Sequence, residues 1–102
     1  MKVTVDSRLK ELVPNFINRK KTELKEMIQM IQDQEFEKLR LMGRSLAWSA
    51  PGYGFIELGL MAKKLEQDAT VRRGDLLPHY RENMLQYLDN LEIEYVEVKL
   101  EA

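Results

Sequence analysis

The sequence predicts an all-α domain, an antiparallel four-helix bundle whose two termini are able to pair as a short two-stranded ribbon. Three observations carry this. Apolar residues recur at helical spacing through four separate stretches. The connections between those stretches are short, and short loops between amphipathic helices make antiparallel neighbours. At 102 residues the chain is the size of a single domain, 1–102, large enough to bury one modest core without disulfides or metal.

Asp6 and Ser7 supply capping side chains for a first short helical stretch carrying Leu9, Leu12 and Val13. Pro14 removes a backbone donor, so a kink or a restart is expected there. From Asn15 to about Ile31 the apolar positions are Phe16, Ile17, Leu24, Met27, Ile28 and Ile31, with Lys20, Lys21, Glu23, Lys25 and Glu26 assigned to the solvent side. Asp33 starts a short connection and Glu35 opens the second helix. Its core stripe is Phe36, Leu39, Met42, Gly43, Leu46 and Ala50, and Pro51-Gly52 ends it.

The third helix runs from about Gly54 to Ala69 with Phe55, Leu58, Met61, Ala62, Leu65 and Ala69 on its core face. Arg72-Arg73-Gly74-Asp75 reads as a loop. Pro78 suits the first turn of a fourth helix that continues to about Leu91 through Tyr80, Met84, Leu85 and Leu88. The tail from Ile93 to Leu100 alternates weakly and is rich in β-branched residues, and Lys2 to Val5 does the same. Sequence alone leaves open whether the two pair.

Composition narrows the function. The formal net charge is −1 and the 32% of charged residues are of both signs and interspersed, which is no footprint for nucleic acid. With no cysteine, neither a disulfide framework nor a thiolate metal site is available. No apolar run reaches the length of a membrane span, and charged residues recur from Lys2 onward, unlike a signal peptide. A cytoplasmic protein without membrane or nucleic-acid partners is expected. His79 is the single histidine, so no His/Asp/Glu set has metal-site spacing, and no cofactor is expected. There is no G-x-x-x-x-G-K-S/T loop, and Ser49 has no histidine base in reach by sequence. Nothing here predicts an enzyme.

The segment Gly43 to Phe55 reads GRSLAWSAPGYGF. Gly43, Leu46, Ser49, Ala50, Tyr53, Gly54 and Phe55 fit a pattern of roughly G-H-x-L/M-K-G-S followed by a small-residue turn and Y-G-F. In this the chain resembles the histidine phosphotransfer (HPt) domains. The similarity extends to Leu9–Arg19 with Phe16 after Pro14, to Ala62, Leu65 and Glu66, and to Tyr87, Leu88 and the Val/Tyr-rich tail. The resemblance implies a bundle of HPt type. It also implies an exposed histidine on the second helix, which in the family accepts a phosphoryl group from a receiver aspartate or a kinase and passes it on. At that position stands Arg44. The family lysine is replaced by Ala47 and the family glycine by Trp48. A guanidinium stays protonated and offers no nucleophilic nitrogen, Ala47 offers phosphoryl oxygens no charge, and Trp48 fills the space of an approaching partner. The scaffold is expected without the phosphotransfer.

A second apolar face needs no resemblance to be seen. On the third helix Ile56, Gly59 and Leu60 share a side that the core stripe does not use. On the second, Leu41, Arg44, Ala47, Trp48 and Pro51 form a stripe apart from Leu39, Met42, Leu46 and Ala50. Joined by the Pro51–Tyr53 turn, the two stripes are expected to merge into one exposed patch around Arg44. Apolar patches on small domains mark interaction surfaces, and Trp and Arg are enriched at binding hot spots. The expected function is a protein-binding module presenting Arg44 and Trp48 to a protein partner with an acidic recess, where Arg44 makes charge-assisted hydrogen bonds to carboxylates. Were that recess an active site, the protein would be an inhibitor. So coordinated a set of surface residues is also what engineering writes when it grafts a hot spot onto a rigid helical scaffold. The alternative is a natural pseudo-HPt protein that docks on a two-component kinase or receiver without transferring phosphate. A phosphotransferase using His79 is a third reading, against which stands the lack of a flanking lysine and glycine. Partner identity and oligomeric state are left open.

Overall fold

Pro14 starts the first long helix. It occupies the opening turn of α1 (Val13–Gln32), where a missing N–H leaves no hydrogen bond unmade. A computed structural model describes residues 2–99. In chain order it holds β1 (Lys2–Asp6), a 3-10 turn (Ser7–Leu9), α1, α2 (Phe36–Ser49), a second 3-10 turn (Ala50–Tyr53), α3 (Ile56–Thr70), α4 (Leu77–Asp89) and β2 (Glu92–Val96). The chain is mostly helical, with one small sheet. No helix among the described residues is long and apolar enough to cross a membrane.

The expected short helix after Asp6 is a single 3-10 turn. The Asp6 carboxylate caps it by accepting the Arg8 backbone N–H at 2.9 Å, and hydrogen bonds from the Arg8 side chain hold this carboxyl below its ordinary range. Leu12 falls outside the helix and is 54% exposed.

The core is one cluster built from Val13, Phe16, Leu24 and Met27 of α1, Leu39 and Leu46 of α2, Leu58, Ala62, Leu65 and Ala69 of α3, and Leu77, Met84, Tyr87 and Leu88 of α4. Phe36, Met42, Met61, Tyr80 and Leu85 are half-buried at its margin. Two residues of α1 depart from expectation. Ile28 is 45% exposed, because its neighbour Met27 takes the inward position. Lys20, expected in solvent, is 8% exposed. Its ammonium lies 5.6 Å from the centre of the Phe16 ring and pairs with Glu23 at 3.1 Å. The aliphatic stem of a lysine can cover apolar surface while its head finds a partner.

α2 and α3 share the most extensive helix contact of the fold. Gly43 permits it: a Cβ there would lie 2.8 Å from both the Ala62 carbonyl oxygen and the Glu66 nitrogen. The strands pair in parallel, Lys2 beside Glu92 through to Asp6 beside Val96, with the helices as the crossover a parallel pair requires. Of the tail expected to alternate, Glu92–Val96 is the strand, and Leu100 lies outside the described residues. Val5 is buried on the inner face of β1. The Thr4 carbonyl oxygen stands 2.7 Å from where a Cβ on Gly54 would be. With φ at 89°, position 54 favours glycine twice over.

Candidate functional site

The turn between α2 and α3 is fixed from beneath. The Phe55 N–H donates to the Ala50 carbonyl at 3.0 Å and the Gly54 N–H to that of Pro51 at 2.9 Å. Tyr53 stacks on Phe16 with ring centroids 4.3 Å apart, and Phe55 packs edge-on against Tyr87 at 6.4 Å. These aromatic contacts set the angle at which the end of α2 meets the start of α3, and so the surface both present.

On that surface Trp48 is 81% exposed, the most exposed large apolar side chain among the described residues. Leu41 is 50%, Ile56 55% and Leu60 58% exposed. Arg44 and Pro51 are also open to solvent. Arg44 stands one helical turn from Trp48. It makes no ion pair or hydrogen bond among the described residues, unlike Arg40 one turn earlier, whose Nε donates to Glu37 at 3.0 Å. Hydrogen bonding from Arg40 holds the Glu37 carboxyl below its ordinary range, whereas Arg44 is uncommitted.

Arg44 and Trp48 together form a ridge with a shallow groove on each side. One, of about 350 Å³, is lined by Arg44, Ala47, Trp48, Lys63 and Glu66. The other, of about 520 Å³, is lined by Leu41, Arg44, Ser45, Trp48 and Ser49. The Ser49 hydroxyl donates to the Ser45 carbonyl at 3.0 Å.

Two members of the expected patch lie deeper. Ala47 is half-buried and Gly59 is buried. A Cβ on Gly59 would lie 3.0 Å from the Pro51 Cγ and 3.5 Å from the Ala47 carbonyl oxygen. The close approach these small residues permit within the fold is between α3 and the end of α2. The exposed members of the expected patch are Leu41, Arg44, Trp48, Pro51, Ile56 and Leu60, with Ala47 and Gly59 beneath them. Lys63, one turn along α3 from Gly59 and Leu60, was missed by sequence reasoning, because a charged residue on a solvent face gave no signal. Glu66 was read only for its fit to the family pattern and not as a lining residue of this surface.

His79 is exposed near the start of α4, its Nε2 3.1 Å from the Asn83 side-chain nitrogen. Among the described residues no group of three or more His, Asp or Glu is placed to hold a metal ion. No family model matches the chain, and neither the curated proteins nor the solved structures contain a match to it.

Proposed function

We propose that the chain is a protein-binding module on an HPt-like antiparallel helical bundle, without phosphotransfer activity, that presents Arg44 and Trp48 to a protein partner with an acidic recess. The observation that carries this is Trp48, 81% exposed beside an Arg44 that has no ion pair or hydrogen bond among the described residues. An indole left in water forgoes the stabilisation of burial, and its natural use is to be buried by something else. Arg44 offers a planar fork of donors that matches carboxylates, and desolvation beside the indole would strengthen those bonds. A convex ridge fits a concave partner. If the recess is an enzyme's catalytic cleft, occupancy by the ridge inhibits the enzyme.

Docking as a natural pseudo-HPt protein on a receiver or kinase is the alternative. A decoy for such partners needs the polar docking face of its relatives, and Leu41, Ile56 and Leu60, each half or more exposed, favour a retargeted surface instead.

The experiment is affinity capture from lysate and from a panel of purified enzymes, with wild type beside an Arg44→Ala/Trp48→Ala double variant of unchanged helicity. The proposal expects a protein retained by wild type and lost by the variant. Equal retention by both would contradict it.

A further inference from the structure

The sheet has one covered edge and one open edge. On the β1 side, the Thr4 carbonyl faces the Gly54 turn. On the β2 side no hydrogen-bond partner takes up the edge among the described residues, and the contact that reaches the strand there is Lys10, its ammonium 5.7 Å from the centre of the Tyr95 ring. Among the described residues, Glu92 to Val96 make no backbone or side-chain hydrogen bond outside the ladder with β1. A strand edge in that state carries a row of unpaired N–H and C=O groups, a template for one more strand. A two-stranded sheet is also the least stable kind, so a third strand has a structural gain to offer.

The side chains say which strand fits. Ile93 and Tyr95 are half-buried and pack toward the core, in line with Val3 and Val5. Glu92 and Glu94 alternate with them on the exposed face. Glu94 already takes a lysine from its neighbouring strand, with Lys2 Nζ at 3.0 Å. Glu92 has no ion-pair partner among the described residues, and Glu97 follows in the exposed tail. A second copy of the same strand would set glutamate against glutamate, which is destabilising. An incoming strand with lysine or arginine at alternate positions would set opposite charges against each other.

We propose that the outer edge of β2 is a docking site for an extended basic segment of a protein partner, added as a third strand with Lys or Arg facing Glu92 and Glu94 and β-branched residues between them. The site is separate from the Trp48 ridge and does not depend on it. Main-chain hydrogen bonds hold the added strand, and the alternating side chains select it.

The test is amide NMR of the full chain titrated with the blocked peptide Lys-Val-Lys-Val-Lys. The controls are Glu-Val-Glu-Val-Glu and Val-Lys-Lys-Lys-Val, the latter with the same composition but no alternation. The expected result is shift changes and slowed hydrogen exchange confined to residues 92–96 with the alternating basic peptide only. Glu92→Lys, which leaves the Lys2–Glu94 pair in place, should weaken that binding several-fold without moving the helical signals. Three results would overturn the proposal: no change in β2 at millimolar peptide, an equal response to the non-alternating peptide, or a neutral-pH dimer formed through β2.

Discussion

Gly59 and Pro51 are in contact so close that a Cβ on the glycine would stand 3.0 Å from the proline Cγ. Across the same helix pair, a Cβ on Gly43 would stand 2.8 Å from the α3 backbone. The two contacts differ in what can yield. At Gly59 the neighbour is a proline ring at the surface, which can give by a few tenths of an ångström. At Gly43 it is the α3 main chain.

Gly43→Ala is therefore expected to destabilise by about 1–3 kcal/mol, the scale of overpacking. Gly59→Ala is expected to stay within about 1 kcal/mol of wild type, because the gain in helix propensity offsets the crowding. Urea denaturation with unchanged slope distinguishes the two. Equal effects would mean that α2 and α3 do not approach as described.

Two helix ends carry a non-glycine residue in the left-handed region, Gln34 with φ 53° and Arg72 with φ 56°. Each is followed by the long return bond of a glycine-type cap, Glu35 N–H to the Met30 carbonyl at 2.9 Å and Arg73 N–H to that of Asp68 at 2.8 Å. Gln34→Gly should stabilise by roughly 0.5–1 kcal/mol, since a side chain is strained there. Arg72→Gly should gain less, because the Arg72 guanidinium lies 4.8 Å from the centre of the Phe36 ring and that contact is lost. Thermal melts of both variants decide the order.

Stability should also fall in alkali. The Tyr80 hydroxyl donates to Asp68 at 2.7 Å, which raises the phenol above its ordinary value, and burial raises Tyr87 in the same direction. A group whose folded value is raised contributes stability that is fully present below the unfolded tyrosine value of about 10 and is lost as pH rises through the folded one. Tyr80→Phe should flatten that decline in part, leaving the share of Tyr87. An unchanged slope above the tyrosine range would contradict the bond.

Incubation with a phosphorylated receiver or an active kinase should leave the chain unlabelled. Arg44→His alone should confer little labelling, since Ala47 brings no cation to a phosphoryl group and the exposed Trp48 stands one turn away. Acid-labile label lost on replacement of His79 would contradict this and return the third reading.

The stripes that formed the core were legible because helical spacing repeats across several turns, and Phe16, Leu39, Leu58 and Leu65 are buried where periodicity put them. Residues at a stripe's margin were not. Ile28 and Met27 are equally apolar neighbours, and only the packing against other helices decides which turns inward. Lys20 reads as a solvent residue because a sequence shows its charge and not the route of its stem. The direction of β1 against β2 was equally hidden, since two strands separated by the whole helical region carry no turn to fix it. In the candidate site, Trp48, Arg44, Leu41, Ile56 and Leu60 were legible as apolar or isolated residues on a face with no core to join. The burial of Gly59 was not legible, because a glycine on an outer stripe shows nothing of the proline that will rest on it.

The most direct measurement is a titration of the partner identified by capture into wild type, Trp48→Ala and Arg44→Ala, with circular dichroism confirming the fold of each. Trp48 is the only tryptophan, so in wild type its fluorescence reports the same event. Free, it should emit as a solvated indole open to iodide quenching. Bound, it should shift to shorter wavelength and lose that quenching. Each alanine variant should weaken binding by about 2 kcal/mol or more, the scale of hot-spot truncation, which is roughly thirtyfold in affinity. Folded variants that bind as tightly as wild type, with a Trp48 emission that the partner does not move, would contradict the assignment of this ridge as the binding site.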